Sequence, residues 1–119
     1  MKTSSAKTAE QIPSDRASAL SALIEVAEGS IVSRVVARTG GGSVTLFAFD
    51  GGQGLAEHSA PFDALVHVLD GALDLTIGGD EVAVSCGEIV RMPAGVPHAL
   101  RAAAPCRMLL TMLRDVKGE

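Results

Sequence analysis

From Ser30 onward, glycine-containing turns cut the chain into short apolar runs, and this punctuation constrains the fold more than any other feature. Residues 31–38 are followed by Gly40-Gly41-Gly42, residues 44–50 by Gly51-Gly52, and residues 64–69 by Asp70-Gly71. Leu73, Leu75 and Ile77 then alternate with Asp74, Thr76 and Gly78, and past the Gly78-Gly79-Asp80 turn Val82 and Val84 alternate likewise. A period of two marks a half-buried strand, and glycine supplies the positive φ that tight connections need. Residues 89–92 precede a proline-bounded loop, after which His98 opens a strand that hands over to residues 108–113. Short strands repeating about every 8 to 12 residues imply an all-β sandwich or barrel.

Two of these strands are apolar on both faces. Val44, Leu46 and Ala48 alternate with Thr45, Phe47 and Phe49, and Met108, Leu110 and Met112 alternate with Leu109, Thr111 and Leu113. One barrel interior cannot cover both sets, so the second face is expected to pack against another subunit in a symmetric homodimer. The preceding segment, 1–29, reads differently. Ser14 can cap a short helix in which Leu20, Leu23, Ile24 and Ala27 recur before Glu28-Gly29 ends the pattern. We expect a short helical turn there, then the barrel over 30–113 and a tail over 114–119.

The chain has 119 residues, enough for one domain with a single core. Trp and Tyr are absent and Phe occurs three times, so a pocket in this domain is expected to be aliphatic-walled. A net charge of -4 without a basic cluster argues against a nucleic-acid surface. The polar first dozen residues, with Lys2 and Lys7, lack the apolar stretch of a signal peptide or membrane anchor. We therefore expect no membrane association, a cytoplasmic location and a frayed start. Cys86 and Cys106 have no metal-ligand spacing and are expected to be reduced, buried and inert.

Two spaced motifs carry the functional information. The first runs from Gly52 through His58, Ala60 and Ala64 to Gly71; the second runs Gly87, Pro93, Gly95, His98 and Ala102. In this order and spacing they resemble the two motifs of the cupin family. The resemblance implies a double-stranded β-helix, the RmlC-like jelly roll of small single-domain cupins. It also implies that positions 58, 60, 64 and 98 face the barrel interior, where the family commonly places metal ligands. Here those positions hold two histidines and two alanines, an incomplete set, and Ala102 stands where the second motif ends in Asn.

A divalent ion (Zn, Ni, Fe or Mn) needs three or four converging donors, and His58 with His98 supplies two. Glu57 is one residue out of frame and is expected to face away, as is His67 relative to Ala64. Asp63, in the loop before the next strand, remains a loose metal candidate. Met92, Met108 and Met112 read chiefly as core filling, with Met92 placed beside the pocket. The 93–97 loop positions His98, since proline fixes φ and Gly95 permits a tight turn.

There is no Gly-x-Ser-x-Gly elbow, and Gly40-Gly41-Gly42 lacks the Lys-Ser/Thr of a phosphate loop. The sequence therefore supports two readings. One is a protein binding a small, largely apolar molecule in a pocket of His58, Ala60, Ala64, Met92 and His98. The other is a metal-dependent enzyme resembling cupin dioxygenases, isomerases or cyclases that uses His58 and His98. No catalytic residue is assigned on either reading.

Overall fold

The computed structural model describes residues 11–115. Among the described residues one helical turn, α1 (Leu20–Leu23), precedes nine strands: β1 (Ile31–Thr39), β2 (Gly42–Phe49), β3 (Gly54–His58), β4 (Asp63–Asp70), β5 (Ala72–Ile77), β6 (Asp80–Ser85), β7 (Ile89–Met92), β8 (His98–Arg101) and β9 (Cys106–Leu113). They form a large sheet in the order β1-β2-β9-β4-β7 and a small sheet in the order β3-β8-β5-β6. The paired strands are antiparallel, and the two sheets enclose a jelly-roll core.

Alternation decides what enters that core. Phe49, Val66, Val68 and Met108 from the large sheet meet Leu73, Leu75, Val84 and Leu100 from the small one, and all are buried. Glycine closes the turn between β4 and β5, where Gly71 has φ +80° and a Cβ would fall 2.5 Å from the Pro105 carbonyl oxygen. Only glycine satisfies both conditions there.

The second apolar face of β2 finds a partner within its own chain. Leu46 and Ala48 are fully buried beneath Ile24, flanked by Leu23 and Val26. Two arginines of the large sheet hold this cover in place. Arg34 donates from Nη1 to the Leu23 carbonyl at 3.2 Å, and Arg107 donates from Nη1 to that of Ser21 at 3.4 Å. The expectation that a second subunit must cover the whole outer face is corrected for this part. Farther across the sheet, Leu109, His67 and Ile89 follow one another in register on the outer side, with Ile89 59% exposed.

The helical reading of the N-terminal segment needs a narrower form. α1 starts after Ala19 with no side-chain cap, so Ser14 does not cap it. Ile24 is already extended, at φ -153° and ψ 144°. A single turn gains little from its own hydrogen bonds, and an extended Ile24 reaches the sheet surface instead. The expected frayed start lies on residues 1–10, outside the described residues, as does the end of the tail. No described helix is long and apolar enough to cross a membrane.

Candidate functional site

His58 ends β3 and His98 opens β8, and the two are directly opposed in the small sheet. A β-bulge creates this opposition. Leu55 faces Leu100, but three residues on, His58 faces His98, only two residues back on β8. β3 therefore carries one extra residue between the pairs. Were the same strand paired without a bulge, Glu57 would stand opposite His98. The bulge selects an imidazole over a carboxylate, and Glu57 is exposed.

The loop before His98 is fixed from three sides. Gly95, at φ +77°, donates its N–H to the Ala60 carbonyl at 2.7 Å, and Gly78 donates to Pro97 at 2.8 Å. Asp63 completes the anchorage. Its carboxylate accepts the Ala94 N–H at 2.9 Å and a guanidinium N–H of Arg91 at 3.2 Å. Asp63 thus ties the β4 start to the loop and is not brought to the histidines. Its place as a loose metal candidate is corrected: this carboxylate has other partners.

The imidazoles approach edge to face, with ring centroids 4.4 Å apart and Nε2 atoms 3.2 Å apart. His58 Nδ1 lies 3.1 Å from the Ala56 carbonyl, and His98 Nδ1 lies 3.2 Å from that of Val96. A carbonyl can only accept, so each Nδ1 carries the proton when its bond forms, and each neutral Nε2 then presents a lone pair. Two acceptors face each other. A single proton, a hydrogen-bond donor or a cation between them relieves the opposition. His98 is buried, while His58 stands exposed at the rim. Burial and the neighbouring His58 charge hold the His98 pKa below its ordinary value, partly offset by the Val96 bond.

The remaining candidates fall into two groups. Ala64 and Met92 are register partners on β4 and β7, both buried within the core, whereas Ala60 is half-buried in the loop after β3. His67 lies between the fully buried Val66 and Val68 and so projects from the opposite face of β4. Cys106 is buried, with its thiol pushed up to about 11 by burial and by the Asp70 charge. Cys86 is not buried. It is exposed at the turn after β6, and its thiol donates to the Leu69 carbonyl at 3.2 Å.

Comparison with known proteins follows the same outline. The family model for the Cupin 2 type, described as a cupin domain, matches residues 45–112. The chain belongs to the cupin family. Among solved structures, this cupin is similar to a conserved protein of unknown function from Streptococcus pyogenes, at 31% identity and a TM-score of 0.84 over 89% of this chain and 93% of that one. It is also similar to a cupin superfamily protein from Desulfitobacterium hafniense, at 26% identity and a TM-score of 0.82 over 88% and 96% of the two chains. A Cupin 2 conserved barrel domain protein from Leptotrichia buccalis is 35% identical over 80% of this chain and 46% of its own length, with a TM-score of 0.77. No curated protein matches.

The family often holds a metal at these motif positions, and the residues here do not fit one held by protein ligands alone. Among the described residues no group of three His, Cys, Asp or Glu side chains converges. Alanine methyls replace two expected donors, Asp63 is bonded elsewhere, and two imidazoles leave most of an ion's coordination to other molecules. What sequence reasoning missed was the bulge in β3 and the anchoring role of Asp63. Neither is signalled by a period or a motif.

Proposed function

We propose that this cupin binds a small, largely apolar molecule at the mouth of its barrel, anchored through one polar group on His58 and His98. The observation supporting this most directly is the pair of facing Nε2 acceptors, 3.2 Å apart, with no third His, Cys, Asp or Glu side chain converging on them among the described residues. Such a pair favours a ligand group that donates a hydrogen bond, such as a hydroxyl or N–H. The apolar body is motivated by Ala60 and Ala64, which hold two of the four motif positions without a polar group. The same proposal includes a homodimer through the outer side of the large sheet around Leu109, His67 and Ile89. Exposed apolar side chains such as Ile89 motivate that part of it.

The test is native mass spectrometry combined with elemental analysis of protein purified without added ions. A co-purifying organic molecule, lost in both His58→Ala and His98→Ala, is the expected result. Stoichiometric tightly held metal, lost in the same variants together with turnover, would replace this reading with a metal-dependent enzyme. Sedimentation of Ile89→Lys checks the dimer, since a folded monomer is expected.

A further inference from the structure

A cavity lies between the N-terminal turn and the outer face of the large sheet, on the side away from the core between the sheets. Its volume is about 330 Å³. That is within the roughly 300–1,000 Å³ of small-molecule sites. Leu20, Ile24, Leu46 and Leu69 form its apolar wall, and Asp70 and Arg107 line it as well.

The two charged residues are the informative part. Asp70 and Arg107 are register partners across β4 and β9, yet they form no ion pair among the described residues. Arg107 has a buried Nε with no hydrogen-bond partner among those residues, and its bond to the Ser21 carbonyl is long, at 3.4 Å. A guanidinium N–H left unmet away from water is costly, and the Arg107 Nε is such a donor. Opposite charges facing each other across neighbouring strands attract. Here both line one crevice, whose wall is otherwise aliphatic apart from Ser21.

We propose that this crevice is a binding site for a free aliphatic α-amino acid, of the leucine or isoleucine class. Its carboxylate pairs with the Arg107 guanidinium, its ammonium pairs with Asp70, and its branched side chain packs against Leu20 and Leu69, the accessible part of that wall. A zwitterionic head matches one cation and one anion, whereas a simple fatty acid would meet Asp70 as a like charge. Charge-assisted bonds at both ends give the head group its specificity. The site is separate from the histidine pair and does not depend on its ligand.

The test uses the full chain and three probes: L-leucine, 4-methylpentanoate, which lacks the ammonium, and 3-methylbutylamine, which lacks the carboxylate. Calorimetric titration is expected to show saturable leucine binding, with each truncated probe about tenfold weaker or more. Asp70 is exposed, so Asp70→Asn is expected to keep the native melting temperature while losing leucine binding about tenfold. Arg107→Met should lose it as well, and methyl resonances of Ile24, Leu46 and Leu69 should shift with leucine in the parent chain alone. The proposal is overturned by an absence of saturable binding at about 10 mM leucine, far above the affinity that paired charges confer. It is equally overturned if 4-methylpentanoate binds as well as leucine, or if the shifts map to His58 and His98. That last pattern would leave the histidine site standing.

Discussion

The outer faces of the two sheets contrast sharply. On the small sheet Asp74, Glu81 and Arg101 are exposed beside the buried Leu75 and Leu100, so one face packs and the other meets water. On the large sheet, Leu46 and Ala48 are fully buried on the side away from the main core. Cover for them comes from residues that precede the first strand. A one-sided sheet can carry a polar site at its rim, while a two-sided sheet must recruit further chain. Both histidines belong to the first, and the crevice lined by Asp70 and Arg107 to the second.

The strongest way to break this comparison is to empty each core in turn. Phe49→Ala removes a fully buried side chain from between the sheets and is expected to cost about 3–5 kcal/mol in denaturant unfolding. Leu46→Ala lies under the N-terminal turn and is expected to cost about 2–5 kcal/mol. A loss below about 1 kcal/mol would mean that the turn covers the sheet without forming a second core.

A smaller effect tests how the small sheet's site is held. Asp63→Ala removes the acceptor for Ala94 and Arg91 and is expected to cost about 1–2 kcal/mol. It should also broaden the His98 ring resonances, because the loop before it loses an anchor. Unchanged resonances would assign the positioning to Gly95 and Gly78 alone.

The pH response should separate the rim from the sheets. The His98 pKa in the folded chain lies below the ordinary 6.5, so the unfolded chain binds more protons between the two values. Stability is therefore fully present above about pH 6.5 and is lost as pH falls through that interval. His98→Gln is expected to flatten this part of a melting-temperature profile. A profile still sloping as in the parent would place the titration elsewhere.

The mildest probe uses the thiols. Of the two cysteines, exposed Cys86 is expected to react with a thiol reagent in the native chain. Cys106, buried and with its pKa raised to about 11, is expected to react after unfolding. Equal native rates would show that the β9 end of the large sheet opens readily.

Much of this architecture is legible in the sequence because strand alternation and glycine turns are local signals. Leu73, Leu75 and Ile77 announce β5, and the motif spacing identifies His58 and His98 as a pair. The cover over Leu46 was not legible, since nothing in Ile24 itself specifies which distant surface it will meet. The same holds for Asp63, whose partners lie about thirty residues away on another strand and loop. Cys86 defeated the reading because its burial depended on where a turn falls, not on its own chemistry.

The bulge in β3 carries a consequence for variation. A chain one residue shorter between Leu55 and His58 would pair without the bulge and still set His58 opposite His98, because the deletion removes the extra residue itself. The intact β3 paired without its bulge would instead set Glu57 opposite His98, a carboxylate facing an imidazole. The local kink, and not the spacing of the motif alone, therefore decides which side chain the rim presents to His98.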